Sequence, residues 1–220
     1  ILECSNIVVT TVPTNIDEES ITKSLIFENV SFRDIPDTLA EYKAKKISAK
    51  NPEKWVLGCD QVLVFQSKIY GKPASKKDLL ERLQLLQGRQ HRLITANVIF
   101  KAAKPLWRHV AVTDLTMHSL DSTEIHDYVD RAWPSISDSC GGYHFEKTPH
   151  LFSAVRGNWF DILGLSIGPI LSFLNQASEK TPLKVPPIVA VLGHPISHSK
   201  SPRIHRYWLN KNRLNGDYIA

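Results

Sequence analysis

Two kinds of hydrophobic spacing alternate along the chain. Runs of β-branched or continuously apolar residues are typical of buried strands, and five such runs occur at 7–12, 55–65, 91–100, 106–117 and 151–155. Apolar residues three and four apart predict helices, and this spacing occurs at 36–52, 75–88, 121–132 and 166–178. Residues 15–20 are predicted to be a loop. The alternation indicates an α/β protein.

Local start and stop signals support two of these helices. Pro36 suits the first turn of the helix at 36–52, whose predicted apolar face is Leu39, Tyr42, Ala44 and Ile47. Ser75 is the expected N-cap of the helix at 75–88, with Asp78 three residues later in the manner of a capping box, and Gly88 is the expected stop. The segment KAAKP between the third and fourth strands is short enough for a hairpin.

The pattern restarts near the C-terminus. Residues 179–187 read EKTPLKVPP, which is typical of a linker. A strand at 187–193, a helix at 201–212 and a new strand at DYIA follow, which is the start of an α/β unit. We therefore expect one domain over 1–178 and an incomplete second one over 188–220.

Composition narrows the possible partners. The chain has 220 residues, of which 42% are hydrophobic and 22% charged, and its net charge is +5. Residues 176–220 hold seven basic and two acidic residues, so the rest of the chain is neutral. A neutral body gives no reason to expect a nucleic-acid partner. No apolar run approaches the roughly 20 residues of a membrane helix. Three widely spaced cysteines and the absence of a signal-peptide layout predict a cytoplasmic protein with free thiols.

One residue does not fit its strand. Asp60 lies within the apolar run WVLGCDQVLVF, where an unpaired carboxylate would cost several kcal/mol or more. Asp17 and Glu18 form an acidic pair elsewhere, and Lys43 and Lys72 are the candidate cations. Carboxylates bind Mg²⁺ or Mn²⁺ and lysines hold phosphates, so the set suits a phosphoanhydride hydrolase. Each residue also has an ordinary interpretation, as a solvated loop acid, an exposed lysine or a structural ion pair.

The order of the motifs along the chain and their amino-acid sequences resemble those of a known family. The matching stretches are IDEE (16–19), LAEYKAKKIS (39–48), VLGCDQVLVF (56–65), YGKP (70–73), LLQGRQHRL (85–93), VTDLTMHSLDSTEIHDYV (112–129), CGGYHFE (140–146) and RGNWFDILGLSIGPIL (156–171). On these motifs, residues 1–174 resemble the Maf family of nucleoside triphosphate pyrophosphatases. The resemblance implies a two-lobed α/β fold around a twisted mixed sheet with a cleft, commonly as a homodimer.

The resemblance also implies roles for individual residues. Asp60 matches the proton acceptor that activates water, and Lys43 and Lys72 match the lysines that hold the triphosphate. Gln61 and Glu146 match further substrate-binding positions. The implied ligands of a divalent metal, Mg²⁺ or Mn²⁺, are Asp17, Glu18, Asp60 and Glu146. The implied reaction converts a nucleoside triphosphate to a nucleoside monophosphate and pyrophosphate.

The start of the chain leaves an alternative open. Members of this family carry a Ser- and Arg-rich phosphate loop before a Leu-Leu pair, which corresponds to Ile1-Leu2 here. A fragment without that loop would lose charge-assisted hydrogen bonds to the phosphates, so an inactive nucleotide-binding or structural module is the second hypothesis. Four aromatic residues are candidates either for stacking on the base or for the core: Trp133, Tyr143, Phe145 and Trp159.

The C-terminal segment carries a separate resemblance. The stretch AVLGHPISHSKSPRIHRYWLNKNRLNGDYIA (190–220) is similar to the first strand, substrate loop and first helix of shikimate dehydrogenase. Ser199 and Ser201 match the hydroxyls that bind the substrate carboxylate, near a helix N-terminus that favours anions. The catalytic residues and the NADP-binding domain would follow Ala220, so NADP is expected only with a complete dehydrogenase. A fused, bifunctional polypeptide is therefore the third hypothesis.

Overall fold

The computed structural model describes Leu2, residues 7–177 and the backbone of two short strands near the C-terminus. Residues 10–171 form one compact unit, and residues 1–9 with 172–220 form a second. The described helices are α1 (Glu18–Phe27), α2 (Asp34–Lys50), α3 (Lys76–Leu86), α4 (Ser122–Ala132), α5 (Trp159–Ile162) and α6 (Ile167–Ala177), and a 3-10 turn lies at Pro149–Leu151. No helix among the described residues combines the length and apolar character needed to cross a membrane.

A five-stranded sheet forms the centre of the larger unit. Its strands are β1 (Val56–Phe65), β2 (Lys68–Tyr70), β3 (Gln90–Lys101), β4 (Lys104–Met117) and β5 (Phe152–Arg156), in the order β2-β1-β3-β4-β5. Mixed α/β architecture is thereby confirmed. All four strand pairs are antiparallel, whereas the resemblance implies a mixed sheet. Two of the pairs are joined by two-residue turns, which only antiparallel strands permit.

The two faces of the sheet are packed differently. On one face, α2 contributes Ala40 and Ala44 to a buried cluster with Ala96, Val98 and Phe100 of β3. A side chain at Gly58 would place its Cβ 2.2 Å from the Ala40 carbonyl oxygen, so only glycine allows α2 to approach this closely. On the other face, α3 and α4 bury larger side chains, including Leu63, Leu83, Leu115 and Val129.

Predicted helix ends are confirmed where a cap controls them. The Ser75 side chain accepts a hydrogen bond from the backbone N–H of Asp78 at 3.1 Å, and Gly88 follows α3 with φ +65°. Asp121 and Glu124 form a reciprocal capping box at the start of α4. On α2, Leu39 and Ala44 are buried as predicted, but Tyr42 is 48% exposed. Ala40 takes its place because α2 faces the glycine of β1, which admits only small side chains.

The strand predicted at 7–12 is wrong. These residues form no strand, and Val8 and Val12 are 98% and 49% exposed. β-branched residues favour an extended backbone, but a strand also needs a neighbour that supplies hydrogen bonds. None pairs with this segment among the described residues.

The loop predicted at 15–20 is confirmed only for residues 15–17, because α1 begins at Glu18. Asp17 is the N-cap: its carboxylate accepts hydrogen bonds from the backbone N–H of Ser20 at 3.0 Å and from the Ser20 hydroxyl at 2.7 Å. Glu18 and Glu19 occupy the first turn, where acids favour the helix dipole. The acids thus serve as start signals of a helix.

Two short strands lie in the C-terminal segment. β6 (Ile188–Ala190) pairs in parallel with β7 (Asp217–Ile219), with Val189 opposite Tyr218. Parallel strands require a long crossover connection, and the predicted strands at 187–193 and DYIA are confirmed at these positions. The predicted helix at 201–212 lies outside the described residues. The domain boundaries near 178–187 stay a prediction.

The close approach of α2 to β1 gives a testable consequence. Replacing Gly58 by alanine is expected to destabilise the fold by about 1 to 3 kcal/mol, because the new methyl group would overlap the α2 backbone. The measurement is urea-induced unfolding. Gly168→Ala is the matched control: nothing lies within 4 Å of its Cβ position in α6, so equal or slightly higher stability is expected. Equal stability of wild type and Gly58→Ala would contradict the packing described.

Candidate active site

The candidate site begins with Asp60 on β1. Successive residues of a strand point to opposite faces, so Asp60 shares the face of Gly58, two residues earlier, and therefore faces α2. The Asp60 side chain is only 7% exposed. Asp60 is opposite Ala96 of β3, a small residue that leaves room beside the carboxylate.

Lys43 of α2 is the partner that this buried carboxylate needs. Its Nζ donates to Asp60 Oδ1 at 2.5 Å and lies 2.9 Å from Glu18 Oε1 in the first turn of α1. The Lys43 side chain is 18% exposed and that of Glu18 is 38% exposed. Three consecutive elements, α1, α2 and β1, therefore meet at one ammonium group.

Burial and the charge of the partner shift the pKa values of Asp60 and Lys43 in opposite directions. Burial raises the pKa of Asp60 to about 6, although the nearby Lys43 and Lys72 lower it in part. Burial lowers the pKa of Lys43, but the charges and hydrogen bonds of Asp60 and Glu18 outweigh this effect, so the pKa is raised overall. At neutral pH the centre is therefore a buried carboxylate–ammonium pair whose carboxylate is more basic than usual.

Lys72 lies in the loop after β2 and is exposed. Its charge acts on the Asp60 carboxylate without a direct ion pair among the described contacts. The structure therefore brings Asp60, Lys43, Glu18 and Lys72 to one region, with Lys72 on its solvent side.

Gln61 faces the opposite side of β1. Its Nε2 donates to Thr95 Oγ1 at 2.7 Å and to the carbonyl oxygens of Asp161 and Ile162 at 3.0 and 3.1 Å. Asn97 completes this contact region, since its Oδ1 accepts the backbone N–H of Ser166 at 2.7 Å. These side chains hold the segment from α5 to the start of α6 against the sheet. A substrate role for Gln61 stays a prediction, and its amide does not lie beside Lys43.

Two predicted metal ligands are not drawn into the cluster. Asp17 is exposed and both its carboxylate oxygens bind Ser20. Glu146 is exposed in the turn after Phe145, and no ion pair or hydrogen bond joins it to Asp60 in the part of the chain described. Ser199 and Ser201 lie outside the described residues.

Carboxylate oxygens are suitable ligands for a divalent metal, but the cluster offers only a few of them. No group of three or more acidic, His or Cys side chains is poised for a metal within the described residues. Two carboxylates, Glu18 and Asp60, converge on a common point. Mg²⁺ is usually held by one or two carboxylates together with phosphate oxygens and water, so this pair fits such an ion when a polyphosphate is present.

Sequence reasoning missed several polar residues that organise this region. Thr95, Asn97 and Arg82 are buried. The signal available was a polar or charged residue at a position where the apolar spacing predicts the core: two in the strand HRLITANVIF and one in the helix SKKDLLERLQLLQG. Of the aromatic candidates for base stacking, Tyr143 and Phe145 are buried and Trp159 is 46% exposed.

The sequence of the chain matches a known protein family. The family model described as "Maf-like protein" matches residues 1–177. The chain belongs to the Maf family. The nucleoside triphosphate pyrophosphatase 1 of Jannaschia sp. (strain CCS1) is 39% identical to this Maf chain over 183 residues, which is 83% of the chain and 92% of the relative.

Two other similar proteins carry names of pyrophosphatases. The nucleoside triphosphate pyrophosphatase of Roseobacter denitrificans (strain ATCC 33942 / OCh 114) is 45% identical over 166 residues, which is 75% of this Maf chain and 83% of the relative. The 7-methyl-GTP pyrophosphatase of Brucella abortus biovar 1 (strain 9-941) is 34% identical over 177 residues, 80% of the chain and 89% of the relative. The predicted family is confirmed. The shikimate dehydrogenase resemblance at the C-terminus has no counterpart among these matches.

The raised pKa of Asp60 predicts a pH-dependent stability. The folded state holds the Asp60 proton up to about pH 6, whereas the ordinary value is 3.8. The stability contributed by this proton is complete below pH 3.8 and is lost as the pH rises to about 6. The free energy of unfolding of Asp60→Asn minus that of wild type is therefore expected to increase by roughly 2 to 3 kcal/mol as the pH rises from 3.5 to 7.5. Urea-induced unfolding at the two pH values measures this change.

Asp130→Asn is the control of opposite sign. Lys76 lowers the pKa of Asp130 through a hydrogen bond and its charge, so removing this carboxylate is expected to cost stability above pH 4 rather than to add it. A stability difference between wild type and Asp60→Asn that does not change with pH would contradict the assignment for Asp60.

Proposed function

We propose that this Maf chain hydrolyses a nucleoside triphosphate to a nucleoside monophosphate and pyrophosphate, with Asp60 as general base. The observation that carries the proposal is the convergence of Asp60, Lys43 and Glu18 beside the exposed Lys72. A buried carboxylate with a pKa of about 6 is ionised at neutral pH, yet basic enough to accept a proton from water. The names of the relatives support the reaction.

The two lysines would bind the substrate. Lys72 is exposed and would contact the incoming phosphates first. Lys43 would then move its ammonium contact from Asp60 to a phosphate oxygen, because the triphosphate carries more charge than one carboxylate. This exchange would bring the phosphates beside Asp60 and free Oδ1 for the proton.

The bond changes follow from this arrangement. A water oxygen forms a bond to the α-phosphorus while one of its protons passes to the Asp60 carboxylate. The bond between the α-phosphorus and the oxygen that bridges to the β-phosphorus breaks, and pyrophosphate leaves with the electron pair. A divalent metal held between Glu18, Asp60 and the phosphates would neutralise the charge that develops.

The decisive assay measures pyrophosphate release by the full 220-residue chain with Mg²⁺ or Mn²⁺. The panel contains the common nucleoside triphosphates and 7-methyl-GTP, the substrate in the name of one relative. Asp60→Asn is expected to lower kcat/KM by about 100-fold or more, because general-base catalysis contributes at least that much. Asp114→Asn is the control, since Asp114 on β4 pairs with Arg92 and takes no part in the proposed chemistry.

Two results would overturn this proposal. Equal rates for wild type and Asp60→Asn would exclude Asp60 as the base. No release by wild type from any nucleotide would favour the second hypothesis, an inactive nucleotide-binding or structural module.

The pH profile tests the base separately. Asp60 must be ionised to accept the proton, so kcat/KM of wild type is expected to fall tenfold per pH unit below about pH 6. The residual activity of Asp60→Asn should not show this fall. A wild-type profile that is flat between pH 5 and pH 8 would contradict the proposed role.

We further propose that residues 188–220 begin a second α/β domain with an anion-binding loop at Ser199 and Ser201. The supporting observation is the parallel pairing of β6 with β7, which is the pairing of a β-α-β unit. Sequencing the coding region beyond Ala220 tests this proposal. A following domain with a Gly-rich dinucleotide-binding turn would support a bifunctional protein, and a stop codon directly after Ala220 would overturn it.

A further inference from the structure

An arginine occupies a core position of α3. Leu79, Arg82, Leu83 and Leu86 are the buried residues of this helix, at the spacing of one helix face. The Arg82 side chain is only 5% exposed. A buried guanidinium is costly unless hydrogen bonds compensate it, so its partners indicate what it does.

The partners of Arg82 come from two separate loops. Its Nη1 donates to the carbonyl oxygen of Gly71 and, at 2.7 Å, to that of Cys140. Its Nη2 donates to Asp78 Oδ2 at 3.2 Å, one helical turn earlier. The guanidinium also lies 5.6 Å from the centre of the Tyr70 ring. One planar group thus holds the loop after β2 and the glycine turn before Tyr143.

Each loop carries one of the residues predicted to bind the substrate. Gly71 immediately precedes Lys72, and Cys140 opens the motif CGGYHFE, which ends at Glu146. The Cys140 thiol donates to Gln61 Oε1 at 3.7 Å. The carbonyl that Arg82 holds therefore belongs to a residue that contacts the sequence neighbour of the proposed base on β1.

We propose that Arg82 is a positioning residue that fixes Lys72 and the glycine turn relative to Asp60; this inference rests on the proposed function. Arg82 acts through the backbone carbonyls before these residues and does not touch the substrate. The guanidinium is a rigid fork with several fixed donors, so it binds two carbonyls and a carboxylate at the same time. The single ammonium of a lysine cannot reproduce that geometry.

A double-mutant cycle tests the proposal. Arg82→Met keeps the bulk of the side chain but removes its donors, and is expected to lower kcat/KM about tenfold or more, chiefly through a higher KM for the triphosphate, because Lys72 is misplaced. In a Lys72→Ala background the same change is expected to cost at most about twofold, since residues acting as a unit are not additive. Arg82→Lys should recover part of the lost activity and remains informative if Arg82→Met does not fold.

Leu86→Ala is the matched control. It removes a fully buried side chain from the same helix and contacts neither carbonyl. It should lower the unfolding temperature at least as much as Arg82→Met, leave KM unchanged and give additive effects with Lys72→Ala. Equal KM values for wild type and the Arg82 variants, or additivity of Arg82→Met with Lys72→Ala, would overturn the proposal.

Hydrogen exchange separates this inference from the proposed function. Arg82→Met should speed amide exchange at Gly71, Lys72 and Ala74 and in residues 140–146 more than Leu86→Ala does, whether or not the chain releases pyrophosphate. If wild type releases no pyrophosphate but Arg82→Met speeds amide exchange as expected, the proposed function is overturned and the positioning role of Arg82 is not. Active wild type with unchanged exchange and kinetics in the Arg82 variants would overturn only the positioning role.

Discussion

The site depends on the burial of one carboxylate opposite one ammonium. Asp60 is removed from water on β1, and Lys43 reaches it from α2 at 2.5 Å. The contact requires α2 to lie very close to the strand, which the missing side chain of Gly58 permits. Removing one partner of a buried pair leaves an uncompensated charge, so the position of α2 and the chemistry of Asp60 are linked.

The opposite face of the same strand has a structural role. The side chains of Gln61, Thr95 and Asn97 bind backbone groups of residues 161–166. Buried polar groups need partners, and here they find them in a segment without long regular structure. One strand therefore separates two functions: Asp60 faces the charged cluster, and its neighbour holds the segment that leads into α6.

Different parts of the structure were predictable to different degrees. The cap at Ser75 and the hairpin strands β3 and β4 follow from local rules, and the structure confirms them. The strand expected at 7–12 failed because pairing, which is non-local, decides whether an extended segment becomes a strand. The start of α1 was missed because its acids were interpreted as metal ligands, although Asp17 followed by two further acids is also an N-cap signal.

The sequence by itself determined the family and the candidate residues of the site. The motif order indicated the family, and Asp60 stood out as a charge in an apolar strand, since hydrophobic spacing is local information. Only the tertiary structure decided their partners: Lys43 is 17 positions from Asp60, and Arg82 is 58 positions from Cys140. The packing of helices on the sheet fixes such pairings, and burial in that packing raises the pKa of Asp60 to about 6. No local pattern contains that information.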